Sequence, residues 1–81
     1  MDMNQSNVRI SDLGLAAALV SCGFEIREIN RDTSGRAHFV FTQTEELGLA
    51  VINYWGDTLV VNARKFFDEI KMLKSRIYTE K

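Results

Sequence analysis

The sequence contains no proline, one cysteine and one histidine among its 81 residues. A single cysteine cannot form an intrachain disulfide, which fits a reducing compartment such as the cytoplasm. One cysteine and one histidine are also too few to build a structural zinc site. We therefore expect a cytoplasmic domain that folds without a disulfide and without a metal.

Long apolar runs and an excess of one charge are missing too. No stretch approaches the ~18–20 apolar residues that span a bilayer. Residues 1–11 lack the basic and apolar regions of a secretory signal, so none is expected. Ten basic and eleven acidic residues leave a formal net charge of −1, whereas electrostatic DNA-binding proteins are usually basic. We expect no membrane association, and any nucleic-acid binding has to depend on a local patch.

The residue types of catalytic sites do not converge along the chain. Cys22 and His38 lie apart in sequence, and their spacing does not indicate the nucleophile and base that covalent catalysis needs. The acidic pairs at 45–46 and 68–69 diverge around a helix, and the glycines lack phosphate-loop spacing. We assign no catalytic residue, no cofactor and no metal ligand, and we expect no enzyme. A deep pocket holding His38 beside a carboxylate would argue the other way.

Apolar periodicity predicts one small α+β domain over residues 11–81, after a disordered segment over residues 1–10. The predicted elements are a helix at 12–22, strands at 24–29 and 37–42, a helix at 43–55, a strand at 58–61 and a helix at 63–78. Ser11, Thr42 and Asn62 are the predicted helix caps. The order α-β-β-α-β-α gives a three-stranded, mainly antiparallel sheet packed with helices. Whether the third strand pairs parallel or antiparallel stays open.

Two helices carry patterns that predict how they pack. The first helix has apolar residues on opposite sides, which is typical of a helix buried between two layers. The last helix has one apolar stripe at helical spacing, formed by Phe66, Ile70, Leu73 and Ile77. We expect this stripe to face the core.

Five segments between residues 11 and 78 carry a resemblance to a known family. They are Ser11-Asp-Leu-Gly-Leu-Ala-Ala-Ala-Leu, Cys22-Gly-Phe24, Phe39-Val-Phe41, Leu59-Val-Val-Asn-Ala-Arg-Lys-Phe-Phe67 and Leu73-Lys-Ser-Arg-Ile-Tyr78. They resemble a family of short bacterial proteins, with members in phages and other mobile elements, that is grouped as a domain of unknown function. The shared positions are mostly core and capping positions. The resemblance therefore implies the fold and a bacterial source, but no enzyme activity and no functional residue.

The apolar residues exceed what one sheet face can cover. The middle helix carries Leu47, Val51, Tyr54 and Trp55 toward one side and Leu49 and Ile52 toward the other. On the hairpin, Val40 faces away from its apolar neighbours, and so does Ile29 unless a bulge intervenes. Exposed apolar area of a few hundred Å² usually marks an interface. We predict a non-enzymatic interaction module that forms a homodimer, with a contact that includes Ile29, Val40, Leu49 or Ile52. The alternative is that the same chain covers these side chains.

The last helix also combines basic and aromatic residues on one side: Arg64, Phe67, Lys71, Lys74 and Tyr78. Such interleaving suits phosphate contacts and base stacking. Arg27, Arg31 and Arg36 would extend the patch, whereas Asp68 weakens it. The alternative function is therefore a weak nucleic-acid-binding accessory protein of a mobile element or phage. The simpler interpretation is a solvated basic face with Phe67 half-buried against the sheet.

Overall fold

Residues 6–79 are described by a computed structural model. They form β1 (Asn7–Ile10), α1 (Leu13–Ser21), β2 (Ile26–Arg31), β3 (Ala37–Thr42), α2 (Glu45–Trp55) and α3 (Ala63–Thr79). The three strands make one antiparallel sheet in the order β1-β3-β2. The predicted α+β class, with three helices and a three-stranded antiparallel sheet, is confirmed.

The third strand comes from residues 7–10 and not from residues 58–61. β1 pairs with β3 from Asn7↔Thr42 to Ile10↔Phe39, so these residues of the segment predicted to be disordered form a strand. Residues 1–5 of that segment lie outside the described residues. β1 occupies the free edge of β3, and residues 58–61 form a loop whose Thr58 N–H donates to the carbonyl of Asn53 at 2.8 Å. The element order along the chain is therefore β-α-β-β-α-α, and the connection from β1 through α1 to β2 crosses over β3, which lies between them in the sheet.

A bulge in β2 decides which side chains face the core. The register with β3 shifts between Ile26 and Glu28. The extra residue turns Ile29 to the same side as Ile26, and both pack against the core. Val40 does face the other way, but it is only 3% exposed, with Arg9 and Glu28 as its cross-strand partners. Neither Ile29 nor Val40 therefore supplies exposed apolar surface, contrary to the prediction.

α1 lies at the centre of the domain. Its five consecutive residues 15–19 are all buried, and consecutive residues of a helix point in directions about 100° apart. The helix is thus enclosed on every side, as its apolar pattern predicts, with α3 and α2 both packed against it. Gly23 follows the helix with a φ of +104°, a conformation in which glycine avoids the strain of other residues.

A side chain caps the start of each helix. Asp12, Thr44 and Asn62 each accept a hydrogen bond from the backbone N–H three residues later, at 2.8, 3.0 and 2.9 Å. Asn62 is the predicted cap of α3. The predicted cap Ser11 precedes the observed cap Asp12 by one residue. The predicted cap Thr42 precedes the observed cap Thr44 by two residues, because Thr42 still pairs with Asn7 in the β1–β3 ladder. The predicted core stripe of α3 is confirmed, since Leu73 is buried and its companions pack against the core.

Candidate interaction surfaces

α2 exposes three large apolar side chains on one side, which we call the α2 stripe: Leu49, Ile52 and Trp55. They are 56%, 67% and 61% exposed, respectively. Residues three apart are neighbours on a helix surface, so the three side chains form a continuous row over adjacent turns. The opposite side of α2 is occupied, because Leu47 and Ala50 are buried in the core. The stripe has no place in the core of its own chain.

Trp55 is the member of this stripe that the sequence analysis placed wrongly. It was grouped with the core-facing Tyr54, and the two rings do touch, edge to face, with centroids 5.0 Å apart. Tyr54 packs against the core while Trp55 projects into solvent. Trp55 lies three residues after Ile52 in the same row. This spacing, together with the lack of any charged residue from Leu47 to Gly56, is the sequence pattern that identifies the whole stripe.

α3 exposes a row of different chemistry, which we call the α3 stripe: Arg64, Phe67, Lys71, Lys74 and Tyr78. All five residues are exposed, and steps of three and four residues place them on one side of the helix. Phe67 is 58% and Tyr78 is 73% exposed, so the aromatic rings are not covered by the sheet. The Lys71 Nζ atom lies 4.9 Å from the centroid of the Phe67 ring, within cation–π range. The structure thus brings together all five predicted residues.

Two of the three arginines expected to extend the α3 stripe, Arg27 and Arg31, have side-chain partners within the fold. Arg31 donates to the backbone carbonyl of Ile77 and, at 3.0 Å, to that of Gly35. It therefore ties the hairpin to the C-terminal end of α3. Arg27 donates to the Thr42 hydroxyl at 3.4 Å. These contacts engage the guanidinium groups of Arg27 and Arg31 within the fold. The candidate basic surface is therefore the α3 stripe without these two arginines.

Asp32 of the hairpin loop and His38 of β3 form a pair that the sequence pattern did not predict. Asp32 Oδ2 lies 2.9 Å from His38 Nε2. Asp32 Oδ1 accepts hydrogen bonds from the Ser34 hydroxyl, the Ser34 N–H and the Arg36 N–H at 2.6, 2.9 and 3.0 Å. The Ser34 hydroxyl bond, followed by the His38 contact, holds the pKa of Asp32 far below its usual range. These bonds fix the turn, and an Asp-x-Ser-Gly sequence is a signal for it.

Two clefts lie near the start of β2. The larger, about 390 Å³, is lined by apolar residues such as Phe24, Met72 and Leu73 and also by the charged residues Glu25, Glu69 and Arg76. The smaller, about 220 Å³, is lined partly by Phe41 and Leu47. None of the predicted dimer contacts and no residue of the α3 stripe lines either cleft, although Arg27 borders the smaller one, and neither cleft contains the Asp32–His38 pair. The Asp32–His38 pair therefore lies outside both of these clefts, where the hairpin loop meets β3.

The remaining chemistry-bearing side chains are dispersed. Cys22 is exposed at the C-cap of α1. Across residues 6–79, no three His, Cys, Asp or Glu side chains come together to hold a metal ion. No helix in this part of the chain has the length and apolar character needed to cross a membrane.

Comparison with known proteins gives one family match. The family described as a domain of unknown function (DUF5659) matches residues 5–79. No curated protein and no solved structure matches the chain. The match confirms the resemblance found in the sequence and covers nearly the whole domain, including both stripes.

Proposed function

Because the chain belongs to the DUF5659 family of domains of unknown function, we propose a function from its surface: it is a non-enzymatic interaction module that forms a homodimer through the α2 stripe. The single observation that carries this proposal is the row of three large apolar side chains, each more than half exposed, on a well-formed helix. A bacterial cytoplasmic location is part of the proposal. The free, exposed Cys22 supports the reducing compartment in this proposal, because free thiols persist there.

The energetic argument starts from the exposed apolar area. Single exposed apolar residues are ordinary on protein surfaces, but adjacent large ones form a patch of the kind that marks contacts. Covering a large apolar side chain completely contributes about 1.5–3 kcal/mol. Leu49, Ile52 and Trp55 are already partly covered, so each would contribute roughly half of that. A two-fold contact counts every side chain twice.

The charge pattern favours a second copy of the same chain as the partner. No charged residue lies between Leu47 and Gly56, so a stripe placed against itself brings no like charges together in its centre. Glu45 and Glu46 occupy the first turn of α2. Antiparallel pairing across a two-fold axis keeps the acidic ends of the two helices apart. The stripe is thus complementary to itself.

The size of the stripe sets the expected strength. Specific interfaces usually bury about 800 Å² per partner, and one row of three side chains covers less than that. We therefore expect a weak dimer that forms at high protein concentration. Association should be tested at about 100 µM, a concentration at which a dimer with a dissociation constant of about 1 µM is almost fully formed.

Light scattering after size-exclusion chromatography tests the proposal. The wild type should show twice the chain mass of 9.2 kDa, and Ile52→Glu should shift it to the monomer mass. The matched control is Met72→Glu, which places the same charge on a half-exposed apolar position of α3 and should leave the dimer intact. Circular dichroism checks that both variants fold. A monomeric wild type, or equal effects of the two variants, would reject the α2 contact.

A further inference from the structure

The α3 stripe is a second exposed surface, and the proposed dimer does not use it. α3 carries five basic residues and two acidic ones, which is half of the ten lysines and arginines of the chain. The chain as a whole has a net charge of −1. The positive charge is therefore concentrated on one helix, the distribution expected of a surface that meets a polyanion.

The two aromatic rings of the α3 stripe indicate which kind of polyanion fits it. Phe67 and Tyr78 are more than half exposed and lie 11 residues apart, which is about 16 Å along a helix. Lys71 and Lys74 lie between them in the same row. A nucleic-acid base has a flat face that stacks on an aromatic ring. The backbone phosphates alternate with the bases along the strand. An acidic protein surface would use the lysines but would leave the rings without a flat partner.

We propose that the α3 stripe binds single-stranded nucleic acid, with Arg64, Lys71 and Lys74 contacting phosphates and with Phe67 and Tyr78 stacking on bases. Single strands are specified because a duplex hides the faces of its bases. The cation–π contact of Lys71 with Phe67 holds a positive charge beside a stacking ring. This proposal does not depend on the α2 dimer.

Asp68 is an acidic side chain close to this row. Its carboxylate lies 4.0 Å from the Arg64 Nε atom, and both side chains are largely exposed. Exposed pairs of this kind contribute little, so Arg64 is available to turn toward a phosphate. Lys65 and Arg76 lie outside the row on the same helix. Lys65 therefore provides a matched control for charge alone.

Fluorescence anisotropy of a labelled single-stranded oligonucleotide, titrated with the full chain, tests the proposal. Binding should appear at low salt and weaken steeply as salt is added. Three phosphate contacts predict a slope of about −2 in a plot of log affinity against log salt for a single strand. Each of Phe67→Ala and Tyr78→Ala should lower affinity by about fivefold or more while leaving that slope unchanged.

Charge variants test whether binding depends on the α3 stripe or on positive charge anywhere on α3. Lys71→Glu together with Lys74→Glu should abolish binding, and Lys71→Glu alone should weaken it far more than Lys65→Glu. No change in anisotropy at about 100 µM protein and low salt would overturn the proposal, because even non-specific binding falls within that range. Equal losses for Lys65→Glu and Lys71→Glu would also overturn it. So would equal competition by duplex DNA or by poly-glutamate, which would identify a general polyanion surface instead.

Discussion

α2 and α3 expose rows of large side chains that differ in one respect, the presence of charge. The α2 stripe lies within an uncharged run from Leu47 to Gly56, whereas the α3 stripe alternates aromatic rings with basic groups. Both helices also bury an inner row, represented by Leu47 in α2 and Leu73 in α3. In both helices the inner row is buried and the outer row is exposed, so burial distinguishes the two rows. The chemistry of the exposed row then indicates the kind of partner, which is apolar for α2 and charged for α3.

The largest expected change in the free energy of unfolding comes from the inner row of α3, and it tests whether the helix has a buried row and an exposed row. Leu73→Ala should lower the free energy of unfolding by about 2–5 kcal/mol, because it leaves a cavity at a fully buried position. Phe67→Ala, on the outer row, should change it by less than about 0.5 kcal/mol. Urea denaturation measures both values.

A small domain has only about 5–15 kcal/mol of stability in total, so Leu73→Ala can fail to fold. Leu73→Met keeps the volume and should cost less than about 1.5 kcal/mol. Equal losses for Leu73→Ala and Phe67→Ala would break the distinction between the two rows.

The next effect concerns the inner side of α2. A Cβ atom on Gly14 would lie 2.7 Å from the Tyr54 hydroxyl oxygen, so Gly14→Ala should lower the free energy of unfolding by about 1–3 kcal/mol through overpacking. The better helix propensity of alanine offsets at most ~1 kcal/mol of this. Combining Gly14→Ala with Tyr54→Phe should restore most of the loss. A Gly14→Ala variant more stable than the wild type would show that α2 does not pack tightly on α1.

A smaller effect is expected in the hairpin loop, away from both rows. The hydrogen bonds from Ser34 and the contact with His38 lower the pKa of Asp32 in the folded state. The ionised carboxylate therefore stabilises the fold above the ordinary pKa of about 4, and this contribution is lost as the pH falls below it. Asp32→Ala should be less stable than the wild type at pH 7, and the difference should shrink near pH 2–3. Denaturation midpoints at both pH values measure it; a difference independent of pH would contradict the account.

Local patterns predicted the helices and one of the two surfaces well. The α3 stripe and the core stripe of α3 follow from helical spacing alone, and Asn62 follows from cap chemistry. Leu49 and Ile52 also follow from spacing. Trp55 was misplaced because it is the last residue of its helix, where the neighbours that define a side are fewer.

The sheet was harder to predict because strands need partners. Residues 58–61 favour a strand by composition, yet the edge of β3 is taken by Asn7–Ile10, more than 25 residues away in sequence. The bulge that returns Ile29 to the core is equally a property of pairing. Val40 is buried although it faces away from the main core. These features depend on long-range contacts that no local window contains.

The most direct test of the account is the mass in solution of three proteins at the same concentration. Each is measured by light scattering at about 100 µM, a concentration at which a dimer with a dissociation constant of about 1 µM is almost fully formed. The account predicts a dimer for the wild type, a dimer for Lys71→Glu with Lys74→Glu on the α3 stripe, and a monomer for Ile52→Glu on the α2 stripe. Monomers in all three cases, or dissociation caused by the α3 variant and not by the α2 variant, would contradict it.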